Sequence, residues 1–132
     1  MLPSARTVRD AMITDVKLCG IDATVGDVRD LFLDEHVHAA VVVEDGVLRA
    51  VIDRADLGEG DDDRAPAVRV GGLGPRVVSG DVGLVEARRA LVDSQRRRLA
   101  VVGDGGTFEG LLCLKRSLDD FCSEQDTRDR RS

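Results

Sequence analysis

A chain of 132 residues with a formal net charge of −6 is sized for one compact domain and opposes nucleic-acid binding, which relies on clustered Lys and Arg displacing counterions from phosphates. Apolar residues make up 42% of it, and Phe32, Phe108 and Phe121 are its aromatics, so the core must be assembled from Val, Leu, Ile and Ala. Met1 to Arg6 carry no apolar leader and no stretch nears the roughly 18 apolar residues of a spanning helix, so the expectation is a cytoplasmic protein with no membrane partner.

In chain order, the first periodic segment is Val25, Val28, Leu31 and Phe32, whose spacing of i, i+3, i+6, i+7 is the stripe of an amphipathic helix. The aliphatic run Ala40-Val41-Val42-Val43 reads as a buried strand, and Glu44-Asp45-Gly46 as the turn into a second strand, Val47 to Ile52. A short helix is expected near Arg54 to Leu57. The acidic, breaker-rich segment from Gly58 to Pro66 reads as a linker, with Asp61-Asp62-Asp63 solvated, since it lacks the ligand spacing of a calcium loop. Gly71-Gly72-Leu73-Gly74 lacks the Lys-Ser/Thr of a phosphate-binding loop and reads as a connector.

The pattern then recurs. Leu84, Ala87, Ala90 and Leu91 repeat the helical stripe 59 positions after Val25, Val28, Leu31 and Phe32, and Asp22, Asp27 and Asp34 are echoed by Asp81, Glu86 and Asp93. Leu99 to Val102, the turn Gly103 to Gly106, and Thr107 to Cys113 repeat the hairpin with one extra residue, and a short helix is expected from Lys115 to Phe121. Each half is a strand, helix, strand, strand, helix unit of roughly 60 residues, too small to bury both faces of its sheet. Two such units packed sheet to sheet about a pseudo-twofold axis would solve that. The division expected is repeat 1 over residues 1–60, a linker over 61–66, repeat 2 over 67–122, and a disordered tail over 123–132.

Cys19, Cys113 and Cys122 are odd in number, widely spaced and without a C-x-x-C arrangement, so they read as reduced, mostly buried thiols. His36 and His38 beside Asp34 and Glu35 have too few further ligands for a metal site, and none is expected. With two His and no cofactor motif, catalysis is not expected either.

The ordered set of segments resembles the cystathionine-β-synthase (CBS) domain, present twice as a tandem pair or Bateman module. Thr7-Val8-Arg9-Asp10-Ala11-Met12 is similar to the family's leading segment, a short helix running into the first strand. The helix at Thr24, the strands around Asp45-Gly46, and Ala50-Val51-Ile52-Asp53-Arg54-Ala55-Asp56-Leu57 follow in family order, and Val68 to Leu118 repeats it. The resemblance implies an α/β (α+β) fold of two β-α-β-β-α repeats. It further implies a non-catalytic regulatory module for an adenine nucleoside or nucleotide, such as AMP or S-adenosylmethionine, held in the cleft between repeats. The alternative is a ligandless dimerisation or partner-binding module; a homodimer is expected in either case, with no cofactor beyond such a ligand.

The resemblance also nominates residues. The family's ribose-binding carboxylate falls on Asp56, whose two oxygens suit a vicinal diol. Asp53 stands where Ser or Thr is usual, and its charge opposes phosphate there by about 1 to 4 kcal/mol. The alternative is that Asp53 simply caps the helix that follows and that Asp56 has a capping or solvated role. In the second half the corresponding place is Cys113-Leu114-Lys115-Arg116-Ser117, without a carboxylate, so at most one ribose site is expected. His38 in the first half and Arg97 and Arg98 in the second match the family's phosphate-reaching positions, Arg being suited to bidentate pairing. Arg96-Arg97-Arg98 can also be read as a solvated helix end.

Overall fold

The computed structural model of the chain describes residues 6–35, 37–58, 60, 62–115 and 121–122. The chain divides into two compact units: an N-proximal unit, Lys17–Gly74, and a C-proximal unit made of Met1–Val16 together with Pro75–Ser132.

In the N-proximal unit, β1 (Leu18–Cys19) runs parallel to β2 (Ala39–Glu44), which pairs antiparallel with β3 (Val47–Asp53). Between β1 and β2 lies α2 (Val25–Leu31), numbered after α1 (Val8–Ala11) of the other unit. Thr24 caps α2: its side chain accepts from the Asp27 N–H at 3.2 Å, while Asp27 Oδ2 accepts from the Thr24 N–H at 2.9 Å. That reciprocal pair satisfies donors a helix start otherwise leaves open. At the tip of the β2–β3 hairpin, Asp45 and Gly46 both take positive φ, 51° and 81°, the backbone a tight two-residue hairpin requires.

The C-proximal unit repeats this arrangement rung for rung. β4 (Val77–Ser79) runs parallel to β5 (Arg98–Val102), which pairs antiparallel with β6 (Phe108–Cys113), and α3 (Leu84–Asp93) lies between β4 and β5. Leu18↔Val41 becomes Val77↔Ala100, Ala39↔Asp53 becomes Arg98↔Cys113, and the ladder irregularity at Val42/Val43 recurs at Val101/Val102. A one-residue slip would turn every side chain to the opposite face, so an identical register means an identical core face.

The cores confirm it. Val28, Phe32, Ala40, Val42, Ile52 and Ala67 gather in one unit, and Ala87, Leu91, Leu99, Val101, Leu112 and Val8 take the matching places in the other. Volumes trade within each set: large Phe32 goes with small Ala40 and Ala67, whereas Leu91 goes with Leu99 and Val8. Of the expected helical stripe, Val25, Val28 and Phe32 are buried, Leu31 is half-buried, and Ala87 and Leu91 are buried. Ala90 is exposed, contrary to expectation. The core-facing line of α3 runs through half-buried Leu84 and buried Ala87 and Leu91, and Ala90 sits about 100° around the axis from Leu91.

The boundaries differ from those read in the sequence. The leading segment does not join repeat 1. Instead Ile13 exchanges backbone hydrogen bonds with Leu111 on β6, at 2.7 and 2.8 Å, and the Val8 N–H donates to the Val82 carbonyl at 2.8 Å. The same places in the N-proximal unit are filled from residues 66–74: Gly72 exchanges bonds with Val51 on β3 at 2.9 and 3.1 Å, and the Ala67 N–H donates to Ala23 O at 2.9 Å. Each sheet is thus covered by a segment that precedes the other repeat in sequence. β3 and β6 are edge strands in need of partners, and a covering segment contributes that backbone pairing wherever it lies in the chain.

Nor is the linker merely solvated. The Ala65 and Asp63 carbonyls accept from the Val25 and Gly26 N–H groups at 2.9 Å each, and Arg29 Nε donates to Asp63 Oδ1 at 2.7 Å. The short helix expected after β3 is a 3-10 turn, Arg54–Asp56. Its counterpart falls on 116–120, and the expected tail on 123–132, both outside the described residues.

Candidate functional site

Sheet register gathers the candidates of the first repeat at one end of one sheet. Asp53 ends β3 directly opposite Ala39, the first residue of β2, and His38 immediately precedes that residue. The chain then turns through Arg54–Asp56, so His38, Asp53 and Asp56, all half-buried, belong to the same sheet end. Asp56 Oδ2 accepts from the Asp53 N–H at 2.8 Å. Asp56 therefore takes a capping role through Oδ2.

Arg54, between the two acids, was not singled out by sequence reasoning. Its guanidinium lies 5.0 Å from the centre of the Phe32 ring and donates to the Asp34 carbonyl at 2.8 Å. It ties the turn to the C-terminal end of α2, where a cation is also favoured by the helix dipole. The turn that carries Asp56 is thereby held from both sides.

At the matching end of the other sheet, Arg98 opens β5 opposite Cys113, and Arg97 immediately precedes it, its carbonyl accepting from the Leu114 N–H at 2.7 Å. Arg97 occupies the place of His38, and Cys113 that of Asp53. Both arginines are half-buried, Arg97 just before β5 and Arg98 as its first residue, and neither is on a helix end, because α3 stops at Asp93. Arg116 and Ser117, in the stretch that lacks the second carboxylate, lie outside the described residues, as does His36. Among the described residues no group of three or more His, Cys, Asp or Glu is gathered as a metal site, and no helix is long and apolar enough to cross a membrane.

Two further features escaped sequence reasoning because they join distant residues. Arg9 on α1 pairs with Asp81 at 2.6 Å and Glu109 at 2.8 Å, fastening the leading segment to the C-proximal unit. Both carboxylate partners raise the Arg9 pKa, the Asp81 hydrogen bond foremost. The second feature is the approach of Cys113 and Cys122. Cys19 is buried apart from them in the N-proximal core, and desolvation, reinforced by Asp27, raises its pKa.

Comparison with known proteins agrees with this architecture. Residues 8–58 match the CBS domain family model. The CBS domain-containing protein YhcV of Bacillus subtilis (strain 168) is 29% identical over 115 residues, covering 82% of this chain and 80% of the relative. The cytosolic domain of the Mg2+ channel MgtE, solved in complex with ATP, superposes with a TM-score of 0.72 at 22% identity over 86% of this chain, which spans 48% of that one. The cystathionine beta-synthase pair domain of SO5017 from Shewanella oneidensis MR-1 gives a TM-score of 0.72 at 14% identity, covering 96% of this chain and 70% of that one. CBSX2, solved in complex with AMP, gives 0.70 at 23% identity, covering 86% of this chain and 92% of that one. Residues 8–58 thus match a CBS domain, the chain is similar to a CBS domain-containing relative, and its two units, which repeat one register, share the fold of solved CBS domain pairs.

Proposed function

We propose that the chain is a non-catalytic regulatory module that binds an adenine nucleoside or nucleotide. The observation that carries this reading is the register-driven gathering of His38, Asp53 and Asp56 at one end of the N-proximal sheet, with Asp56 held on a turn braced by Arg54. Asp56 would accept from the ribose hydroxyls. His38, and in the C-proximal unit Arg97 and Arg98, are the candidates for phosphate. MgtE and CBSX2, which share the fold, were solved with ATP and AMP respectively, and that supports an adenine ligand here. Asp53 disfavours added phosphate charge, so adenosine, AMP or a thioether nucleoside should bind better than ATP. A thermal-shift screen tests this: a ligand at about 100 times its Kd stabilises the fold by about 2.7 kcal/mol. No shift with any adenine ligand at millimolar concentration overturns the reading.

One observation favours a second reading, a module for self-association or partner binding. Leu33 and Val92, equivalent positions following the helical stripes of the two repeats, are 83% and 38% exposed, and Val85 on α3 is 72% exposed. Large apolar side chains left open at matching positions of a repeat fit a recurrent contact surface. A homodimer in the cytoplasm accommodates both readings.

A further inference from the structure

Cys113 ends β6, and Cys122 follows nine positions later. Between them, Leu114 and Phe121 form an antiparallel bridge, and the Cys122 N–H donates to the Cys113 carbonyl at 2.7 Å. The two cysteines therefore stand opposite each other one rung along, and their Sγ atoms are 2.8 Å apart. Both are thiols, 7% and 4% exposed, packed with Ile13 and beside Val16 of the leading segment. Directly opposed antiparallel residues have Cα atoms about 4.5 to 5.5 Å apart, inside the roughly 4.4 to 6.8 Å range of disulfides, so the bond needs no large backbone movement.

We propose that Cys113 and Cys122 are a reversible dithiol–disulfide pair that responds to hydrogen peroxide. The thiolate of one attacks a peroxide oxygen, breaking the O–O bond and leaving a sulfenic acid and hydroxide. The sulfur of the other then displaces the hydroxyl group as the S–S bond forms. Two thiols and one peroxide become one disulfide and two waters, with two electrons passing from sulfur to oxygen. A dithiol reductant reverses the step by exchange. Both thiols are buried, so the reaction depends on local opening around the pair, which resists brief exposure and records a sustained one. Once formed, the bond closes a short ring onto the end of β6, one rung from the carbonyl of Arg97, and restrains the opening that admitted the oxidant. Cys19, in the core of the other unit, takes no part.

The test uses the full chain. After peroxide treatment and quenching, the protein is unfolded in denaturant, alkylated and weighed. The reduced protein takes up three alkyl groups, matching its three cysteines; the oxidised protein should take up one, on Cys19, with peptide mapping placing a Cys113–Cys122 crosslink and dithiothreitol restoring all three. The oxidised form should also unfold at a higher temperature than the reduced form. C19S should still form the bond and C122S should not. Three alkylated cysteines after treatment, sulfinic acid at either site in place of the crosslink, or a crosslink that uses Cys19 or joins two chains, would overturn the proposal.

Discussion

Asp56 illustrates how one carboxylate serves structure and chemistry together. Its Oδ2 holds the Asp53 N–H at 2.8 Å, so Asp56→Ala removes both a backbone contact and the proposed ribose acceptor. Asp56→Asn separates the two, because the amide oxygen still accepts from the Asp53 N–H while the charge is gone. Calorimetry should show Asp56→Ala weakening the nucleoside by about 1.5 to 3 kcal/mol, with Asp56→Asn losing a large part of the same affinity at little cost in stability. Asp53→Thr should instead strengthen binding, most for the ligand with most phosphates. Unchanged affinity in all three variants would remove these residues from the site.

Asp10 provides a pH signature at the same scale. The Thr7 N–H donates to its Oδ2 at 2.9 Å, and this hydrogen bond, more than any other influence, lowers its pKa. A carboxylate favoured in the folded state contributes stability above its unfolded pKa and loses it as pH falls through the lower folded value. An NMR titration should place the Asp10 midpoint below the ordinary carboxyl value of about 3.9, and Thr7→Pro, which removes the donor, should return it upward. Because the group is fully exposed, the effect belongs to the cap and not to global stability.

At the scale of elements, packing constrains the segment that covers β3 tightly. Gly71 lies where a Cβ would come within 2.7 Å of both the Ile52 side chain and the Val51 carbonyl, so that no rotamer change relieves the backbone contact. Gly71→Ala should destabilise the N-proximal unit by about 1 to 3 kcal/mol in urea unfolding. Gly20→Ala is the control, since nothing lies within 4 Å of a Cβ there. Equal stability of the two variants would mean that residues 66–74 are not packed on β3 as described.

For the whole molecule, the exchange of covering segments decides where it can be cut. A fragment over residues 17–74 carries its sheet, its helix and its own cover, whereas one over 1–60 carries a leading segment whose partner strand, β6, is missing and lacks Ala67 and Gly72. Circular dichroism melts should show the 17–74 fragment unfolding cooperatively and the 1–60 fragment melting lower and more broadly, despite its similar length. Self-association is tested at this scale too. Light scattering at micromolar concentration should give a dimer, and Leu33→Asp or Val85→Asp should shift it toward monomer if the exposed apolar positions form the contact.

Local periodicity and β-branched runs were enough to read the repeat, both hairpins, both long helices and the offset of 59 and 60, because helix faces and strand faces are written in spacings of 3.6 and 2. The gathering of His38 with Asp53 and Asp56 was foreseeable in outline through the family resemblance, since those residues flank paired strands. Tertiary structure alone decided which segment covers which sheet: a covering strand is selected by backbone hydrogen bonds and fit at an open edge, which leave little trace in side-chain pattern. The same holds for the Arg9 ion pairs with Asp81 and Glu109, the brace of Arg54 on Phe32, and the facing thiols of Cys113 and Cys122. Each depends on positions set by chain direction after a turn, and no spacing in the sequence encodes where a chain returns.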